Sequence, residues 1–335
     1  TVSLQYQVCR YYYLNSEGSV ITHNRTYSHL LVNAATKASD GMYLPLSLSY
    51  FAFLPKDLPD TDSIVKDVHL LAKQIEALRS APVVEPYTGP ALLSEKSAGG
   101  FFHEIFGHRI EGQRLKNESD AQTFKKMVGQ RLLPEDMQVY DDPNQKTSGN
   151  QELNGYYLYD DEGVKSERVN IISDGILKNF LMTRVPIDGF GQSNGHARAT
   201  SGYHPVSRQG NLFIATKAPK SDAELRKMLI EEAKAQGKEY GYLFSEVSGG
   251  FTNTDRYSAN SFNVLPTLVY RIYTDGRPDE LVRGVDLIGT PLSMFSNILC
   301  AGDKTGIFTG NDRIGAGTDL WQLAVMLSRR QSLRG

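Results

Sequence analysis

Turn signals at short intervals constrain this chain more than any other feature. From Gly155 onward, Asp161-Glu162-Gly163, Ser173-Asp174-Gly175, Ser248-Gly249-Gly250 and Thr274-Asp275-Gly276 leave room mainly for short elements. The segments between them at 167–173, 176–183, 210–216, 267–273 and 281–288 are predicted strands. One helix interrupts this pattern. Ser221 with Glu224 three residues later predicts a capping box, Leu225, Met228, Leu229 and Ala233 form its apolar face, and Gly237 stops it.

The first 80 residues mix the two kinds of element. Strands are predicted at 11–14, from residue 19, at 30–35 and at 46–54, with a turn at Asn15-Ser16-Glu17-Gly18. Ile64, Val68, Leu71, Ile75 and Leu78 give one apolar face to a helix over 62–79, and His69 flanks that face as a surface residue. The prolines of 81–90 mark a linker and a domain boundary. Residues 113–151 read as a long polar excursion with one short helix near Phe124 to Val128, of the kind that is often functional. No internal repeat or low-complexity segment is visible.

Composition narrows the class. Hydrophobic residues make up 40% of 335 and charged residues 22%, ordinary for a globular protein of about two domains. A formal net charge of −2 gives no nucleic-acid footprint. No run approaches the roughly 18–20 apolar residues of a membrane span, since the longest candidate, 292–301, is broken by Ser293, Ser296 and Asn297. Cys9 and Cys300 lie far apart and do not read as a disulfide framework, which fits a reducing, cytoplasmic setting. The chain opens at Thr1 within a strand pattern, so a preceding segment is expected to be missing.

The chemistry concentrates in Gly99-Gly100-Phe101-Phe102-His103-Glu104-Ile105-Phe106-Gly107-His108-Arg109-Ile110-Glu111-Gly112. Zinc-peptidase helices carry His-Glu-x-x-His, with both histidines on one face at i, i+4. Here the spacing is i, i+5, which leaves the side chains roughly 140° apart on a straight helix. Convergence requires a local deformation; a π-bulge is the expectation, with Gly107 easing it. Two imidazoles suit zinc, which lowers the pKa of a bound water. Glu104 is placed to take a proton and return it to a leaving amine. Glu111 is placed to orient a histidine from behind. A string this short also arises by chance.

The string resembles the metal-binding helix of the TldD/PmbA (modulator of DNA gyrase) peptidases, in their catalytic TldD-like branch. The resemblance continues through Tyr159-Asp160-Asp161-Glu162-Gly163, Asp174-Gly175-Ile176-Leu177-Lys178-Asn179-Phe180-Leu181, Ser193-Asn194-Gly195-His196-Ala197-Arg198 and Arg283-Gly284-Val285-Asp286-Leu287-Ile288-Gly289, in family order over roughly residues 10–310. It implies an α+β protein. Residues 1–80 would be the C-terminal part of an α/β N-terminal domain. Residues 81–335 would be a mostly β, barrel-like catalytic domain carrying the His-Glu-x-x-x-His helix. It implies a zinc peptidase acting on unfolded or extended peptides in a dimer cavity, as a homodimer or with a PmbA-like partner. His103 and His108 would be the metal ligands and Glu104 the general base.

One departure is expected to matter. The family's third ligand is a cysteine in a Gly-rich segment, and the corresponding Phe308-Thr309-Gly310-Asn311-Asp312-Arg313-Ile314-Gly315 has none. Asp312 lies nearest that position, and Cys300 falls early; both stay open as third ligand. Beyond Gly310, residues 320–331 read as an amphipathic helix on Leu320, Leu323, Ala324 and Leu327, where the family has further β structure. A C-terminus altered by a frameshift is one expectation, and a catalytically degenerate homologue or non-catalytic dimer partner is the alternative function. His196, Arg198, His204 and Arg208 form a further candidate cluster for substrate contact, or else a solvated loop. Tyr11, Tyr12 and Tyr13 read as strand residues.

Overall fold

The computed structural model describes residues 1–120, 122–200, 202–252 and 262–309, together with the backbone at 311–312, 315–316, 318–322 and 325–327. Three antiparallel strands open the chain: β1 (Val2–Leu14), β2 (Val20–Lys37) and β3 (Tyr43–Ala52). The predicted turn at Asn15 joins the first two, and the Asn15 Oδ1 accepts the backbone N–H groups of Glu17 and Ser19. β2 runs unbroken through 30–35, where a separate strand was expected. β1 pairs residues 20–32 and β3 pairs residues 28–37, so some partner supports the whole length.

The helix α1 (Thr61–Ser80) starts where Asp60 accepts the Ser63 N–H at 2.9 Å. It buries Leu71 and Leu78 with Leu44 and Leu46 of β3 and with Leu268. His69 is exposed, as the pattern predicts.

Beyond residue 90 lie two larger sheets. One has the order Glu280–Val282, Phe262–Tyr273, Tyr240–Thr252, β4 (Ala91–Leu93), Val325–Leu327, Ile298–Ala301, with Leu287–Gly289 also paired to Phe262–Tyr273. The other has the order Thr305–Phe308, Thr318–Gln322, Asn211–Thr216, β5 (Met137–Asp141), Val169–Ser173, Ile176–Leu177. The helix α2 (Glu95–Ile105) touches both. Its Phe101, Phe102 and Ile105 join Leu93 and Phe244 of the first sheet and Val139, Leu212 and Ile214 of the second in one core. The protein is therefore mixed α+β with mostly strands.

Several expectations are corrected. Among the described residues no sheet closes into a barrel; both are open, and a helix with its aromatic core fills the space between them. The excursion at 113–151 contains β5, which sits in mid-sheet between Asn211–Thr216 and Val169–Ser173. Its alternating Met137, Val139 and Asp141 face inward, a five-residue signal that polar neighbours hide. The short helix near Phe124 is a single 3-10 turn, Lys125–Met127.

The predicted turn at Ser248-Gly249-Gly250 lies inside the 13-residue strand Tyr240–Thr252, whose pairing with Phe262–Tyr273 shifts register three times. The strand predicted at 176–183 forms over Ile176–Leu177, with a further single bridge from Leu181 to Glu111, and that at 281–288 divides in two. The terminal helix does not form over the described residues: Thr318–Gln322 and Val325–Leu327 are strands, because each inserts between two strands of a sheet and pairs with both. The other residues of that prediction lie outside the described ones. The helix α3 (Asp222–Ala235) has the predicted capping box in full. Among the described residues no helix is long and apolar enough to cross a membrane.

Candidate metal centre

The centre is built on the end of α2. Ser94 caps its start by accepting the Ser97 N–H at 3.2 Å, and its hydroxyl donates to the Ser245 carbonyl at 2.6 Å. This ties the helix to the strand Tyr240–Thr252. Gly100 lets it approach closely, since a Cβ there would lie 2.9 Å from Val247 Cγ2. His103 and Glu104 ride on the last turn.

The i, i+5 spacing is resolved by ending the helix rather than by bulging it. α2 stops at Ile105, Phe106 leaves helical geometry at φ −121, and Gly107–Arg109 forms a 3-10 turn. That turn swings His108 back onto His103, and their ring centroids lie 4.6 Å apart at an interplanar angle of 75°. The expected π-bulge is not formed, because the turn achieves the same convergence with tighter hydrogen bonds, Arg109 N–H to Phe106 O at 2.8 Å among them. Gly107 contributes space instead of bending: its φ is ordinary, but a Cβ there would collide with the Gln209 side chain. The terminal carbonyl of Glu104 accepts from the buried Arg109 guanidinium at 2.7 Å. Burial holds Arg109 down to about 10 despite Glu104 nearby.

Glu111 stands behind the histidines. It is fully buried, its Oε1 lies 3.1 Å from His108 Nδ1, and it accepts from Arg114 Nε at 2.6 Å and from Arg208 Nη1 at 2.9 Å. Burial alone would raise its pKa. His108, Arg114 and Arg208 outweigh that and hold it at about 2, so the carboxylate is charged. With Nδ1 turned to Glu111, a metal at His108 would take Nε2, the usual arrangement for a ligating histidine.

His103 and Glu104 line a cavity of about 460 Å³ together with His29, Lys96, Glu246 and Phe308. The Glu104 side chain reaches it past Gly250, where a Cβ would come 2.8 Å from Glu104 Cγ and 2.4 Å from the Asn263 carbonyl oxygen. The register-shifted stretch of Tyr240–Thr252 therefore forms one wall. β2 and β3 form another: His29 Nε2 lies 2.8 Å from Ser49 Oγ. Nothing local in the sequence marks His29 or Glu246, because they reach the cavity only through the packing of distant elements, whereas Lys96 lies on α2 itself about two turns before His103.

Two imidazoles backed by a charged carboxylate fit a metal such as zinc, which commonly takes three protein ligands in catalytic sites. Among the described residues no group of three or more His, Cys, Asp or Glu side chains is close enough to hold one ion. Cys300 does not line the cavity. It is buried with Leu92, Leu225, Leu229 and Ile272, and burial pushes its thiol up to about 11. The backbone of Asp312 pairs with Gly315, and its side chain lies outside the described residues.

The other candidate cluster disperses. His196 is buried against Asp141 at 3.0 Å, Arg198 lies over the Tyr157 ring, His204 is exposed and Arg208 serves Glu111.

Fold and centre together define an α+β protein organised round a two-histidine, glutamate-backed site at a helix end. Residues 86–318 match the family described as the PmbA/TldA metallopeptidase C-terminal domain, and the chain belongs to this TldD/PmbA family. It is 29% identical over 233 residues to a metalloprotease of Archaeoglobus fulgidus, covering 69% of this chain and 48% of that protein. It is 28% identical over 225 residues to a zinc metalloprotease TldD homologue of Saccharolobus solfataricus, covering 66% and 45%. The chain spans about half the length of the curated relatives it matches. Among solved structures, TldE from Thermococcus kodakarensis shares the fold with a TM-score of 0.67 at 15% identity, over 98% of this chain and 67% of that one. A protein described as a modulator of a DNA gyrase from Thermotoga maritima does so with 0.68 at 18%, over 97% and 68%.

Proposed function

We propose that this chain is the catalytic part of a zinc-dependent peptidase that hydrolyses unfolded or extended peptides. The observation that carries the reading is the convergence of His103 and His108, 4.6 Å apart by ring centroid, at the edge of a cavity that His103 and Glu104 line. His103 and His108 would hold the metal. Zinc, when bound, supplies Lewis acidity and makes water a nucleophile near neutral pH. Glu104 accepts the proton of the attacking water and delivers it to the departing amine. Glu111 fixes the His108 ring and its tautomer. Asp312 remains the candidate for a third ligand.

As the resemblance to the family implies, the chain would act as a homodimer or with a PmbA-like partner. A second reading is a degenerate, non-catalytic partner. It is favoured by the lack of a three-residue donor group among the described residues. Metal analysis of the purified protein decides between them. Near one zinc per chain, lost in His103→Ala, is the expected result; no zinc after supplementation would overturn the peptidase reading.

A further inference from the structure

The sheet β1–β2–β3 turns one face inward, and two cavities lie along it. On β2, His23, Arg25, His29 and Leu31 are separated by even steps and therefore share that face. His29 and Leu31 wall the metal cavity. His23 and Arg25 wall a second cavity of about 510 Å³, within the range of small-ligand sites. Between the two, Tyr27, Phe51 and Phe53 form an aromatic ridge, with successive ring centroids 5.5 and 5.3 Å apart.

The second cavity combines apolar walls with buried positive charge. Tyr11, Tyr156, Tyr157, Tyr159 and Phe53 supply the walls. Arg25 and Arg198 supply guanidinium groups; burial and then the nearby Arg198 disfavour the charge on Arg25. Arg25 donates to the carbonyl and the side-chain oxygen of Asn154, both neutral acceptors, and makes no ion pair among the described residues. Its Nε is buried without a hydrogen-bond partner. Arg198 lies 4.5 Å over the Tyr157 ring, and its approach to Asp161 is long at 3.5 Å; Asp161 accepts more closely from the Ala199 N–H, at 2.7 Å. Of the acids lining the cavity, Glu152 is held by the Phe53 N–H at 2.6 Å and Asp57 is exposed. A guanidinium buried without an anion is costly, and a carboxylate matches its fork.

We propose that this second cavity captures a carboxylate with an apolar or aromatic body, namely the C-terminal end of a peptide whose preceding residues cross the aromatic ridge into the metal cavity. Arg25 and His29 are four residues apart on β2, about 14 Å at about 3.4 Å per residue, so roughly four residues of extended peptide span the two sites. The choice of a peptide as ligand rests on the peptidase reading; the capture of a carboxylate does not.

The test is calorimetric titration of the intact chain with a chelator present, so that no hydrolysis intervenes. The probes are N-acetyl-phenylalanine, its amide and inorganic phosphate. The acid is expected to bind on the order of tenfold or more tighter than the amide, because the charged hydrogen bonds are lost in the amide. Arg198→Gln, checked for folding by its melting curve, is expected to bring the acid down to the level of the amide. Lys96→Gln, in the metal cavity, is expected to leave it unchanged.

Equal affinity for acid and amide on the unaltered protein would overturn the proposal without relying on any variant. So would phosphate binding as tightly as the acid, or a loss confined to Lys96→Gln. An N-acetylated hexapeptide acid ending in phenylalanine should bind tighter than N-acetyl-phenylalanine; equal affinity would overturn the span between cavities. Binding of that peptide without cleavage once zinc is restored would count against the peptidase reading and leave this one standing.

Discussion

Two histidine–carboxylate pairs in this molecule, each on a buried carboxylate, have nearly the same local geometry and different fates. His108 Nδ1 lies 3.1 Å from Glu111, and His196 Nε2 lies 3.0 Å from Asp141. Both histidines belong to motifs that resemble the family. The surroundings differ. His196 is wholly buried, with its other nitrogen 3.0 Å from the Asn194 carbonyl and side-chain oxygens, while Asp141 also accepts the Gly210 N–H. That pair is closed on both sides and braces the fold. The His108 pair stands beside His103, whose ring opens on a cavity shared with Glu104. A histidine–carboxylate pair becomes a metal-site element only when one nitrogen faces a second donor and a space for substrate.

The comparison breaks most visibly at Glu104. Glu104→Gln keeps size and burial and removes the carboxylate proposed to accept the proton. Peptide hydrolysis is expected to fall on the order of 10²–10⁴-fold with zinc content unchanged. An unchanged rate would remove Glu104 from the chemistry. The next effect is at Glu111. Glu111→Gln is expected to weaken zinc binding by about 10–100-fold, measured by competition with a chelating dye. If affinity is unaltered, Glu111 does not support a metal through His108, and the two carboxylate pairs do not differ in function. The mirror experiment is His196→Asn, which should cost about 1–3 kcal/mol in urea unfolding by leaving Asp141 short of a partner, and should leave zinc stoichiometry untouched. Loss of zinc in that variant would erase the distinction.

What the sequence made legible was local. The capping box at Ser221 and Glu224, the turn at Asn15 and the apolar stripe of α1 are each written within a few residues, and each forms as read. The His103–Glu104–His108 set was legible as chemistry, but its geometry was not. Whether five residues close by a π-bulge or by a helix stop depends on Arg109 taking the Glu104 carbonyl and on Gln209 packing against Gly107. β5 and the strand through Ser248-Gly249-Gly250 were missed because partners stabilise them more than their own pattern does. Arg208 reaches Glu111 across 97 positions, a pairing that periodicity cannot carry.

The smallest expected effect concerns the residue that chemistry alone would have favoured as a third ligand. A thiolate binds zinc well, but a thiol must first lose its proton. Cys300 sits among Leu92, Leu225, Leu229 and Ile272, where burial pushes its pKa up to about 11, and its Sγ lies 3.8 Å from the Met228 sulfur. It is therefore a protonated, apolar side chain at neutral pH, packed against α3 rather than α2. Cys300→Ala is expected to cost about 1 kcal/mol of stability by leaving a small cavity, and to leave zinc content and affinity as they were. A fall in zinc would mean that the strand Ile298–Ala301 turns its thiol toward the histidines when metal is bound. The contrast between a braced pair and a metal-facing pair would then have to include a rearrangement of the sheet.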